Sequence, residues 1–365
     1  MLSGVKVVEI CGIGPGPFCA MHLADLGANV IAVERSVQEP AGPGYVMNRG
    51  KRSVVADLKT AEGRNLVLKL IEGADALIEG MRPGVMERLG LGPDVLQARN
   101  PRLVYGRMTG WGQDGPLAHA AGHDNNYISL SGALYYTGTE GEVPISPITA
   151  IGDIGGGALY LAIGVLAGIM NARETGKGTV VDAAIVDGSA HLLSLLLATK
   201  RKGLIVGPRG KNVHDGSHFF STYRCKDDEY ITLGSLEPQF YALLLQKLEL
   251  DPAAFPQWDR ERWPEMREQF AGIFAGRTRA DWCALLDGTD VCFGPVLSPE
   301  EAATHPHMKA RGVYFERDGR LEAMPAPRFD GTAMPAGAVP VRGQHTEQIV
   351  NALSRGDAAK VWAAE

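Results

Sequence analysis

Val5-Lys6-Val7-Val8-Glu9-Ile10, Gly12-Ile13-Gly14-Pro15-Gly16-Pro17, the run Phe18 to Leu26, and Val30-Ile31-Ala32-Val33 after Gly27-Ala28-Asn29 decide the fold. The first apolar run has the length of a buried strand, and helical spacing follows a glycine turn. A second apolar strand comes after the helix stop, which makes a β-α-β unit. The alternation continues. Val54 to Leu58 reads as a strand end, Glu62 to Glu72 as a helix, and Ala76 to Ile78 as a strand. Val85 to Leu89 opens a helix, Leu103 to Arg107 and Val180 to Ala184 are further strands, and Asp187 to Leu197 reads as an apolar helix. The pattern predicts an α/β fold with a mostly parallel sheet. Ligands of such sheets gather at the carboxyl ends of strands. There Gly12–Gly16, Gly80–Arg82 and Thr109-Gly110-Trp111-Gly112 converge.

The glycine turn, with Glu34 about 20 residues beyond it, invites a dinucleotide reading. The spacing is GxGxG rather than GxGxxG, and Pro15 and Pro17 remove two amides that would cradle a pyrophosphate. A turn packed closely against something else fits better. A basic cluster comes next along the chain: Arg35, Arg49, Lys51 and Arg52, then Asp57-Leu58-Lys59. Such a run is either a solvated face or a phosphate-anchoring surface.

The chain has 365 residues, 45% apolar and 21% charged, enough for two domains at roughly 100–200 residues each. We expect a large α/β domain over 1–200, a linker over 201–222, a small domain over 223–320 and a return to the large domain over 321–365. The small domain opens with a hairpin over Tyr223–Leu233, followed by helices over Gln239–Leu248, Trp263–Phe274 and Arg279–Leu286. A net charge of -6 argues against nucleic acid or an anionic membrane as partner. The five cysteines lack CxxC spacing, which fits reduced thiols. Met1 to Lys6 shows no secretory pattern, so a cytoplasmic location is expected. The apolar run Ile151–Met170 is long enough to cross a membrane. Asp153 and a triple glycine at its start favour a buried helix instead.

Two residues carry the chemistry. His123 lies in Gly122-His123-Asp124-Asn125-Asn126-Tyr127, and Asp153 in Gly152-Asp153-Ile154-Gly155-Gly156-Gly157. An imidazole and a carboxylate among small residues can take and return one proton on two sides of a carbon. The plainer readings are a loop histidine bonded to backbone and an aspartate that caps a helix. No third or fourth ligand stands at zinc spacing, so no metal is expected. No GxSxG elbow supports a serine hydrolase.

Taken together, Gly12 to Pro17, Arg49-Gly50-Lys51-Arg52-Ser53, Asp57-Leu58-Lys59, Arg82-Pro83-Gly84-Val85, Ala121 to Tyr127, Gly152-Asp153, Gly176-Lys177-Gly178 and Glu237-Pro238-Gln239-Phe240-Tyr241 resemble the α-methylacyl-CoA racemases of the family III CoA-transferase superfamily. The resemblance covers nearly the whole chain. It implies a Rossmann-like large domain, a smaller α+β domain and an interlocked homodimer. It also implies racemisation of a 2-methylacyl-CoA thioester through an enolate, with no cofactor beyond the substrate's own CoA. His123 and Asp153 are then the two bases, Glu237 orients His123, and amides at His123-Asp124 face the thioester oxygen. Arg35, Ala56, Asp57, Leu58, Lys59, Gly80, Met81, Arg82 and Arg88 match CoA-holding positions. Ile13, Pro15, Gly122, Asn125, Asn126 and Tyr127 line the remainder.

Three segments depart from the family pattern: Val213 to Phe219, Pro147-Ile148-Thr149-Ala150, and Met81 where an aromatic is common. They bear on acyl specificity. The alternatives are a CoA-transferase with Asp153 as nucleophile, a non-catalytic acyl-CoA binding module, and a nicotinamide dehydrogenase.

Overall fold

The structure is a computed structural model that describes residues 1–35, 45–138, 141–203, 205 and 207–362. Residues 204 and 206, within the expected linker, lie outside the described set, as does the tail 363–365. The chain forms two units. The larger one comprises Met1–Ala133, Ser146–Leu193 and Met324–Glu365, and the smaller one Leu134–Ile145 and Ser194–Ala323.

In the larger unit the elements run β1 (Lys6–Ile10), α1 (Pro15–Asp25), β2 (Asn29–Glu34), β3 (Arg52–Val55), α2 (Ala61–Ile71), β4 (Ala76–Glu79), α3 (Val85–Arg88), α4 (Pro93–Arg99), β5 (Val104–Thr109) and α5 (Asp124–Ser131). A π-helical stretch, Ala150–Ala158, then leads directly into α6 (Leu159–Thr175), β6 (Val180–Ala184) and α7 (Ile185–Leu192). The smaller unit holds α8 (Ser194–Arg201), α9 (Val213–Gly216), β7 (Thr222–Arg224), β8 (Tyr230–Leu233), α10 (Pro238–Lys247), α11 (Trp263–Phe274), α12 (Arg279–Leu286), β9 (Phe293–Pro295), α13 (Pro299–Thr304), α14 (Pro306–Arg311), β10 (Tyr314–Arg317) and β11 (Arg320–Ala323). Two C-terminal helices, α15 (Thr346–Ser354) and α16 (Ala358–Val361), belong to the larger unit again.

Six strands form one sheet in the order β3-β2-β1-β4-β5-β6. Every neighbour pair in it is parallel. The central strands β2, β1, β4 and β5 are largely apolar on both faces because helices cover both. Val7, Val30, Ile78 and Val104 meet α1 and α6 on one side. Val8, Ile31, Leu77 and Tyr105 meet the α2 side on the other. The strand order reverses between β1 and β4, which opens a crevice at the carboxyl ends. The edge strand β3 is covered by the C-terminal segment. Ser53 N donates to His345 Nδ1 at 2.9 Å, Val55 N to Thr346 Oγ1 at 3.0 Å, and Gly343 N to Ser53 Oγ at 2.7 Å. Pairing of this kind blunts a sheet edge.

Three expectations need correction. Arg49, Lys51 and Arg52 are not a phosphate surface. Arg49 forks onto Asp25, with Nη2 to Oδ2 at 2.6 Å. Lys51 Nζ reaches Glu9 at 2.6 Å, and Arg52 donates to the Val361 carbonyl at 2.6 Å. All three are buried, where unpaired charge is too costly to leave. The apolar run after Asp153 is buried on one side only. Leu159, Ile163 and Met170 form an exposed stripe on α6, Met170 being 74% accessible. The helix expected over Asp187–Leu197 is interrupted at Leu193, between α7 and α8.

The smaller unit packs α10, α11 and α12 against the sheet β7-β8-β9 around Phe219, Phe270, Phe274 and Trp263. The atypical segment Val213–Phe219 supplies part of this core. His218 is fully enclosed, its Nε2 2.6 Å from the Tyr241 hydroxyl. That hydroxyl donates to the Phe255 carbonyl at 2.9 Å. The His218 Nε2 therefore carries the hydrogen, and Nδ1 has no partner among the described residues.

Candidate active site

The site is built on three strand ends. After β1 the chain turns at Gly14, whose φ of 71° suits glycine, and Pro15 starts α1. After β4 comes Gly80-Met81-Arg82-Pro83, and after β5 comes Gly110-Trp111. These loops enclose a cavity of about 360 Å3 that also takes in Gly122, His123, Tyr127 and Asp153. A second cavity of about 320 Å3 is lined by Arg35, Ala56, Asp57, Leu58 and Lys59. Met81 belongs to both. A further hollow of about 370 Å3, between α2 and α15, shares Ala56 and Asp57 with the second cavity but holds no histidine.

His123 is the exposed residue that precedes α5. Its amide donates to Asn126 Oδ1 at 3.0 Å, so that amide is not free to face a substrate oxygen. The next two amides, of Asp124 and Asn125, have no partner among the described residues, as the first turn of a helix dictates. They carry the positive end of the helix dipole and suit a developing oxyanion better than the pair expected from sequence.

Asp153 is not the helix cap. Thr149 occupies that position, and Asp153 sits inside the π-helical stretch. Such turns insert one extra residue and cluster at functional sites. Asp124 lies buried beneath it, and its Oδ1 accepts the Asp153 amide at 2.7 Å. A Cβ on Gly152 would fall 2.2 Å from that oxygen, so only glycine permits the approach. Asp124 thus holds Asp153 rather than lining the cavity. Burial, and then the Asp124 carboxylate, raise the Asp153 pKa, while His123 lowers it. A raised carboxyl pKa suits a group that must hold a proton as well as accept one.

Tyr127 closes the floor. Its hydroxyl donates to the Gly122 carbonyl, and its ring meets Trp111 edge-on at 4.7 Å. Burial raises its pKa, with Asp153 acting in the same direction and Arg82 against it. The phenol is therefore a neutral donor.

Among the remaining sequence candidates, Ile13, Pro15, Gly80 and Arg82 line the first cavity. Arg88 and Asn125 are exposed and line neither, and Asn126 serves as a cap. Glu237 is exposed at the start of α10 in the smaller unit. Sequence reading missed Met108, Ile185 and the Ala118–Ala121 turn as wall residues. For Met108 and Ile185, the places at the end of β5 and directly after β6 were the available signal; the alanine turn had none. Among the described residues no group of three His, Cys, Asp or Glu side chains could hold a metal ion.

A doubly wound sheet with a histidine and an aspartate lining the crevice at its strand ends fits a class of α/β enzyme. The chain belongs to CoA-transferase family III, whose model matches residues 2–346. It is 44% identical over 357 residues to alpha-methylacyl-CoA racemase from Homo sapiens, covering 96% of this chain and 92% of the relative. To succinyl-CoA:glutarate CoA-transferase from Mus musculus it is 28% identical, over 98% and 87% of the two chains. Among solved structures, a CaiB/BaiF family protein from Brucella suis superposes with a TM-score of 0.81 at 28% identity, covering 96% of this chain and 99% of the other.

Proposed function

We propose that this protein interconverts the two configurations of a 2-methylacyl-CoA thioester by two-base proton exchange. One observation carries the reading: His123 and Asp153 reach a single cavity from two separate elements, α5 and the π-helical stretch. A transferase nucleophile needs the aspartate alone. The histidine in the same cavity is what a racemase adds, and the more similar relative is the racemase.

The thioester acidifies its own α-carbon, so the protein supplies positions rather than a cofactor. One base removes the α-proton while the other, already protonated, delivers a proton to the opposite face. The unpaired amides of α5 stabilise the enolate oxygen that forms between the two transfers. Arg35 and Lys59, exposed at the rim of the second cavity, suit the phosphates of the CoA moiety. Met81 joins the two cavities, in keeping with one ligand that extends through both.

A homodimer belongs to the same proposal. Ile163 and Met170 on α6, and Val180 on the edge strand β6, expose more apolar surface than a lone helix face ordinarily keeps. A second copy of the chain would cover it, and Glu237 of that copy would orient His123.

The test is α-deuterium incorporation into (R)- and (S)-2-methylacyl-CoA in deuterated water, with loss of optical purity. His123→Ala and Asp153→Ala should each lower the rate by ~100–10,000-fold. A His123→Ala enzyme that retains full turnover would favour the transferase. Unlabelled, configurationally pure thioesters with the native protein would refute the racemase.

A further inference from the structure

Glu79, the last residue of β4, takes no part in the chemistry described so far. It is buried, and its Oε2 accepts the amide of Met81 at 2.6 Å. Met81 is the residue common to both cavities, and Gly80, Arg82 and Pro83 beside it line the first. The loop that lines the first cavity, and meets the second through Met81, is thus tied to one carboxylate two residues before Met81. The obvious counter-ion is engaged elsewhere. Arg107 stands directly across the sheet from Glu79 on β5, and Asp182 across from Arg107 on β6. Yet the Arg107 guanidinium donates to Glu87 and, at 2.6 Å, to Gln113 Oε1.

We propose that Glu79 is a positioning residue for the acyl-CoA path, its carboxylate fixing the Gly80–Pro83 loop through the Met81 amide. The proposal rests on the acyl-CoA reading of the two cavities. A protonated carboxyl is a weaker acceptor, so the tie loosens when Glu79 takes up a proton. Burial raises its pKa to about 7. The groups that face it are Arg107 from β5, which opposes the shift, and Glu87 from α3 and Asp182 from β6, which add to it. The neighbouring Tyr105 phenol is held neutral by its own burial.

The test follows the Met81 amide by hydrogen exchange between pH 6 and pH 8, corrected for intrinsic rate, in the native protein, Glu79→Gln and Glu79→Ala. Acetyl-CoA affinity is measured in parallel by calorimetry. For a group that titrates near 7, the protonated fraction changes about tenfold over that range. Protection of Met81 should fall toward pH 6 in the native protein. In Glu79→Gln, which keeps an acceptor but cannot titrate, it should be independent of pH. Glu79→Ala should lose it at every pH, and acetyl-CoA affinity should follow the same pattern. Protection that is flat with pH in the native protein, or the same pH dependence in Glu79→Gln, overturns the proposal. Failure of acetyl-CoA to bind at any pH would count against the acyl-CoA reading. The exchange measurement needs no ligand and would still decide for or against Glu79.

Discussion

Replacing Gly152 by alanine tests how the fold holds its acid. The added Cβ would lie 2.2 Å from Asp124 Oδ1, 2.8 Å from its Cγ and 2.9 Å from Ile128 Cγ2. The first two contacts cannot coexist with the 2.7 Å bond from the Asp153 amide to Asp124. Loss of a hydrogen bond to a charged acceptor costs about 1.5–3 kcal/mol, and crowding against Ile128 about 1–3 kcal/mol more. At roughly 2–4 °C per kcal/mol for a unit of this size, melting should fall by about 10 °C. Displacement of Asp153 by even ~1 Å should lower α-proton exchange by ~100-fold. The assay is calorimetry together with deuterium exchange on the same sample.

A double-mutant cycle isolates the cause. In an Asp124→Ala background the clashing carboxylate is gone, so alanine at 152 meets only Ile128. Its cost should drop by about 1.5–3 kcal/mol. Additivity within ~0.5 kcal/mol would show that the two residues do not act on one another. So would a Gly152→Ala protein with native melting and native exchange rates.

Asp124→Asn keeps an acceptor for the Asp153 amide but removes the charge that helps to raise the Asp153 pKa. The acid limb of the exchange rate should move to lower pH, and an unmoved limb would count against the coupling. Arg35→Ala and Lys59→Ala should each weaken acetyl-CoA binding and reduce its salt dependence, read by calorimetry at two ionic strengths. His218→Phe should flatten the acid sensitivity of the smaller unit. Burial lowers the His218 pKa from 6.5 to about 4, so the unfolded chain binds a proton first as pH falls. Stability is full above the unfolded value and is lost between pH 6.5 and 4, by up to about 3 kcal/mol. Equal pH slopes of melting in the native and variant proteins would refute this. Ile163→Glu should shift sedimentation from dimer to monomer, and an unchanged dimer would remove α6 from the interface.

The central strands β2, β1, β4 and β5 were legible because each is a short, largely apolar run buried on both faces, and such runs carry their own signal. The segment 150–158 was not. Ala-Ile-Gly-Asp-Ile-Gly-Gly-Gly-Ala has the propensity of a loop, yet it is helical. It is fixed by tight packing that glycine alone allows, with Gly156 against Ser189 of α7 and Gly152 against Asp124. The destiny of Arg49, Lys51 and Arg52 was equally hidden. Their partners Asp25, Glu9 and Val361 lie 24, 42 and 309 residues away in sequence. Local composition shows a charge; it does not show the buried group that answers it.

Several of the residues picked out by sequence, among them Ile13, Pro15, Gly80, Arg82, His123 and Asp153, line one cavity for a reason that only the topology supplies. From β1 the chain moves outward to β2 and β3, then returns across β1 to β4. The loops after β1 and β4 therefore leave the sheet toward opposite sides, and the gap between them cannot be filled by either crossover helix. Gly14 and Pro15 form one wall of that gap and Gly80 to Pro83 the other. His123 and Asp153 come from farther along the chain. His123 is delivered by the start of α5, where unpaired amides let a ligand approach, and Asp153 by the glycine-rich π-helical stretch. On the proposed function, a carbon acid placed there would meet a base from each element while its oxygen met amides. The neighbouring cavity, which shares Met81, holds Arg35 and Lys59. On the proposed function, the reaction and the recognition of its handle would both follow from one reversal of strand order.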